Sequence, residues 1–138
     1  MKVLVIEDGA TDIVEVYSGL LRSYDLHVSF VEPITEANQD VVFNGAVEYL
    51  SLKGFDKDKI YRGFSGCREI ISSVDVFFVD SLEGKVNDVV EMNEIPKSKV
   101  YVVTSDENIR MEYERSGYKT LIKKLSYILV TMRRLERK

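Results

Sequence analysis

Val76-Phe77-Phe78-Val79-Asp80 is a short apolar run closed by a carboxylate. Both side-chain faces of the run are apolar, and only a strand covered on both sides, as in a parallel sheet, leaves no face for water. Working outward, Val3–Ile6 and Val100–Val103 repeat the same β-branched composition, and each run gives way to polar residues and then to a helical stripe. Weaker strand patterns lie at Leu26–Val31, Lys59–Arg62 and Thr120–Ile122.

The intervening segments carry apolar side chains at helical spacing. Thr11–Ser23 places Ile13, Val14, Val16, Tyr17, Leu20 and Leu21 on one stripe, with Asp12 and Glu15 at the spacing of a capping box. Asp40–Lys53 stripes Val42, Phe43, Ala46, Tyr49 and Leu50 and ends at Gly54, where a helix stop belongs. Cys67–Ser73 reads as a short helix with Ile70 and Ile71 inward, and Leu125, Ile128, Leu129, Met132 and Leu135 stripe the last helix. Strictly alternating strand and helix predicts an α/β fold: a doubly wound, flavodoxin-like parallel sheet of six strands in a three-layer α/β/α sandwich.

Composition narrows the function. At 138 residues the chain suits one domain, 1–138, and with two prolines and no Ser/Gly linker nothing marks an internal boundary. A formal charge of −4 argues against direct nucleic-acid binding, which needs a basic surface. One cysteine, Cys67, excludes an internal disulfide and a cysteine-rich zinc site, and the single His27 argues against a histidine cage or dyad. No apolar stretch has the length of a membrane span, and the expected location is cytoplasmic.

Chemistry concentrates where the strands end, since ligands of doubly wound sheets bind at the carboxyl edge. The first strand ends in Glu7-Asp8, the run at 76–79 in Asp80, the run at 100–103 in Thr104-Ser105, and the short strand before the last helix in Lys123. Clustered carboxylates repel one another, and a hard cation such as Mg²⁺, which takes oxygen ligands, resolves the repulsion. One carboxylate can then attack a phosphoryl donor, with Thr104 and Lys123 binding the phosphoryl oxygens.

These motifs, Lys2-Val-Leu-Val-Ile-Glu7-Asp8, Val74-Asp-Val-Phe-Phe-Val-Asp80, Val100-Tyr-Val-Val-Thr104-Ser105 and Ile122-Lys123, resemble the receiver domain of two-component response regulators. The resemblance covers residues 1–15 and about 57–138. It implies Asp80 as phospho-acceptor, Glu7, Asp8 and Asp80 as Mg²⁺ ligands, and Thr104 and Lys123 as the switch hydroxyl and phosphate-binding lysine. It further implies a histidine kinase or phosphotransfer protein as donor, a downstream protein partner, and no catalysis beyond autophosphotransfer and slow autodephosphorylation. The sequence departs from the family pattern at three of the places that matter for switching. Lys124 stands where a proline follows the lysine, Thr120 stands where the switch aromatic does, leaving Tyr118 two places off as the nearest aromatic, and no proline follows Asp80.

A strand–helix unit at about 24–57, with Pro33 as a break, is additional to the family's five strands and predicts the sheet order 3-2-1-4-5-6. Its surplus apolar side chains (Phe30, Val41, Val42, Phe43, Val47, Tyr49, Leu50, Leu52) suggest a homodimer contact. The competing reading is a receiver-like interaction module that is not phosphorylated. A phosphatase of the haloacid-dehalogenase type needs an acid two residues after its nucleophile, where this chain has Leu82. A nucleotide-binding domain with Glu32 on the ribose lacks the glycine fingerprint in Glu7-Asp-Gly-Ala-Thr11.

Overall fold

The computed structural model describes residues 1–32, 39–63 and 66–138. The strands are β1 (Lys2–Glu7), β2 (Asp25–Phe30), β3 (Ile60–Arg62), β4 (Val76–Asp80), β5 (Val100–Thr104) and β6 (Lys119–Ile122). The α-helices are α1 (Ala10–Tyr17), α2 (Gln39–Leu52), α3 (Val86–Met92), α4 (Glu107–Arg115) and α5 (Leu125–Glu136). All strand pairs are parallel, in the order β3-β2-β1-β4-β5-β6. The expected six-stranded order is therefore realised, with the extra strand β2 hydrogen-bonded along the whole of β1.

Strand alternation assigns the two cores. Val3, Val5, Val76, Phe78 and Val103 face α1 and α5, where they meet Ile13, Tyr17, Ile128 and Met132. Leu4, Ile6, Phe77, Val79 and Val102 face the other way, onto Val86 and Val89 of α3 and Tyr113 of α4. Each of these side chains, buried on folding, contributes about 1.5–3 kcal/mol of transfer free energy. Polar flanks are confined to the strand ends, so the chemistry sits at the rim.

The local structure adds detail and corrects the expectation in places. The short helix expected at 67–73 is present as a 3₁₀ helix, Arg68–Ser73, with Ile71 buried and Ile70 half-buried. The capping box is not formed: α1 begins at Ala10 after Gly9, which makes no side-chain cap, so Asp12 already lies inside the first turn and points elsewhere. The cap of α4 is Asp106, whose Oδ1 accepts the amides of Asn108 (2.9 Å) and Ile109 (3.1 Å). Gly54 follows α2 with φ +99°, the left-handed conformation that a helix stop uses. Pro33 lies outside the described residues. Of the apolar side chains named at 30–52, Val41, Leu52 and, contrary to its place on the inward stripe, Val42 are exposed, Phe43, Val47 and Tyr49 half-buried, and Phe30 and Leu50 buried.

Candidate functional site

Register sets the site. Ile6 is level with Val79, so Glu7 and Asp80 finish adjacent strands side by side; Asp80 is level with Val103, and Val103 with Leu121. Glu7 shares its strand face with Val3 and Val5, Asp80 with Val76 and Phe78, and Lys123 with Leu121. All three side chains therefore start on the α1/α5 side of the sheet.

They meet there. Lys123 Nζ lies 3.0 Å from Asp80 Oδ1, 3.0 Å from Glu7 Oε2 and 2.9 Å from Asp12 Oδ2. The contacts to Asp80 and Asp12 are hydrogen bonds. That to Glu7 is an ion pair off the hydrogen-bond direction, which leaves Oε2 without a hydrogen bond. Glu7 Oε1 accepts weakly from the amides of Asp8 (3.2 Å) and Gly9 (3.3 Å). One oxygen each from Glu7, Asp8 and Asp80 lies within 4.8 Å of the others.

The electrostatics follow from the count. Three carboxylates, Glu7, Asp12 and Asp80, contact one ammonium, Lys123, and Asp8 lies beside Glu7 and Asp80. Glu7 is fully buried, and burial, reinforced by the Asp80 charge and only partly offset by Lys123, pushes its pKa up to about 8. For Lys123 burial alone would favour the neutral amine; the charge of Glu7 and the bonds to Asp12 and Asp80 overcome that and raise its pKa. This set fits a hard divalent cation: the donors are all oxygen, they converge, and their charge exceeds what the lysine balances.

The backbone after Asp80 is strained. Leu82 (φ 48°), Glu83 (φ 55°) and Gly84 (φ 89°) are consecutive left-handed residues, at a cost of roughly 1–2 kcal/mol for each non-glycine. The turn holds because the Leu82 side chain is buried and its amide donates to Asp80 Oδ2 at 3.1 Å. Asp80 thus has one oxygen on a backbone amide and the other on Lys123, which fixes the carboxylate plane.

Of the residues named from the sequence, Glu7, Asp8, Asp80 and Lys123 are brought together. Thr104 ends the neighbouring strand, buried, on the face of Val100 and Val102; its Oγ1 accepts the Asp106 amide at 3.2 Å. Tyr118 lies at the opposite end of β6, with its hydroxyl donating to Asn87 Oδ1 (2.6 Å) and its ring edge-on to Tyr113. Thr120, between them on that face, donates to Glu114 Oε1 at 2.6 Å. The Lys123–Lys124 peptide is trans. Glu32 is engaged by Arg62.

Sequence reading missed Asp12 as a member of the site and gave Tyr17, which lies in the core behind it, no more than a place on the apolar stripe. The signal for Asp12 was its position one helical turn after Asp8, which returns it to the same rim. Tyr17 continues the Ile13 stripe and is fully buried, with its ring 5.9 Å from that of Phe78.

The fold and the rim together define a doubly wound α/β protein with an acidic, lysine-bridged site at the carboxyl edge of its central strands. Comparison with protein-family models, with curated proteins and with solved structures returned no match. Among the described residues no helix is long and apolar enough to cross a membrane.

Proposed function

We propose that the chain is a receiver that accepts a phosphoryl group on Asp80 and signals by a change of conformation. The observation that supports it best is the Asp80 carboxylate itself, fixed by the Leu82 amide and Lys123 within reach of Glu7 and Asp8. A histidine kinase, a phosphotransfer protein or a small acyl phosphate is the donor class. An Asp80 Oδ attacks the donor phosphorus; the new O–P bond forms as the donor P–N or P–O bond breaks, and the donor leaves with that electron pair. Glu7, Asp8 and Asp80 would hold Mg²⁺, which neutralises charge on the transferring phosphoryl oxygens. Lys123 meets that charge from the other side, and Thr104 stands at the same rim with a hydroxyl able to donate. Catalysis ends with this self-phosphorylation and its slow hydrolysis.

The test is Mg²⁺-dependent, acid-stable and alkali-labile labelling by a small acyl phosphate, absent in Asp80→Asn. No labelling at millimolar Mg²⁺ leaves the second reading, an interaction module that is not phosphorylated. The engagement of Tyr118 with Asn87 and Tyr113 favours that reading, because the nearest aromatic to the switch position already has partners.

A further inference from the structure

Tyr17 ends α1 and none of its surface reaches water. Its ring leans on Phe78, two residues before Asp80 and on the same sheet face. The charges that bear on its hydroxyl are those of Glu7, Asp80 and Asp12, which with burial hold the phenol protonated. Among the described residues that hydroxyl is one of the few buried polar atoms with no hydrogen-bond partner. Glu7 Oε2, also buried, has only the off-line contact with Lys123. An unused donor and an under-bonded acceptor thus occupy the same side of the sheet, behind the acidic rim.

Lys123 cannot serve every carboxylate once the rim is loaded. A cation among Glu7, Asp8 and Asp80 repels its ammonium, and a phosphoryl group on Asp80 attracts it outward. In either case Glu7 Oε2 loses its contact with the lysine at a fully buried position. We infer that the Tyr17 hydroxyl is the reserve donor for Glu7: idle while Lys123 bridges the acids, it donates to the Glu7 carboxylate when Lys123 is displaced. Tyr17 is then a positioning residue, acting through Glu7 and not on the phosphoryl group. The inference rests on the receiver reading and gives that site a floor that responds to loading.

Tyr17→Phe removes the oxygen and keeps the ring. A hydroxyl with no partner in the unloaded protein contributes nothing when lost, so the variant should match or exceed the wild type in urea midpoint without Mg²⁺. With Mg²⁺ as the only ligand, calorimetry should show binding weakened about tenfold, the value of one hydrogen bond to a charged group. In the wild type, Mg²⁺ saturation should slow exchange of the Tyr17 hydroxyl proton in the NMR spectrum; this reading needs no variant. A lower urea midpoint for Tyr17→Phe without Mg²⁺ would mean that the hydroxyl is already bonded, and unchanged Mg²⁺ affinity that it never engages; either overturns the reserve role alone. A wild type that neither binds Mg²⁺ nor takes a phosphoryl group overturns the receiver reading and this inference together.

Discussion

Charge is paired in two places in this molecule, at opposite ends of its strands. At the amino end of β2 and β3, Asp25 Oδ1 lies 2.9 Å from Lys59 Nζ and 2.9 Å from His27 Nε2, while His27 Nδ1 meets the Tyr61 hydroxyl at 2.9 Å. One acid there faces one lysine and an imidazole that burial holds toward the neutral form. At the carboxyl rim, Glu7, Asp12 and Asp80 share Lys123, Asp8 stands beside two of them, and Glu7 is fully buried. The first arrangement sets one acid against one lysine and one imidazole, whereas the second leaves its acids in excess of its one cation. Proteins tolerate unresolved buried charge mainly where a ligand completes it, which is why the rim, and not the β2–β3 edge, is the functional candidate.

The contrast can be broken most directly through the two lysines. Lys123→Met should cost about 3 kcal/mol, because it leaves buried carboxylates without a cation. Lys59→Met should cost under about 1 kcal/mol, because that pair is largely solvated. Urea melts of both variants decide it; equal losses would mean that the rim is no more strained than the edge.

Acidity separates the two regions by sign. The folded-state pKa of Glu7 lies above its unfolded value of 4.5, so its contribution is full at low pH and is lost as pH rises through about 8. Its slope should not exceed about 1.4 kcal/mol per pH unit. Asp25, lowered first by its bond to Lys59, and His27, lowered by burial, work the other way: their stability is lost as pH falls. Denaturation midpoints across pH should therefore fall on both limbs, and Glu7→Gln should flatten only the alkaline one.

The smallest expected effects come from matched amide substitutions. Asp80→Asn loses its ion pair with Lys123, which keeps Asp12 and Glu7, but relieves repulsion with Glu7 while an amide oxygen still accepts from Leu82, and should stabilise by up to about 1 kcal/mol. Asp25→Asn loses an ion pair and should destabilise by up to about 1 kcal/mol. Thermal melts that move in the same direction would remove the distinction between the two regions.

Much of this was written in the chain at short range. The run Val76–Asp80 could only be a strand buried on both faces, because neither parity offered a polar side to water. Glu7, Asp8, Asp80 and Lys123 were legible as rim residues for the same reason: each follows an apolar run directly. The 3₁₀ character of Arg68–Ser73 was not legible, since a six-residue apolar-inward segment satisfies either helix type until the crossover from β3 to β4 fixes its length.

What the sequence alone determined is therefore the alternation of elements, the order of strands that right-handed crossovers allow, and the identity of the groups at the rim. The tertiary structure decided how those groups are shared. Asp12 and Lys123 are 111 positions apart, and nothing local distinguishes Asp12 as a partner of Lys123 from Asp12 as a helix cap. Only packing α1 against the sheet brings that carboxylate to Lys123. Strand and helix patterns report which side of an element is apolar, whereas the pairing of charges depends on distances that exist only once the layers have closed.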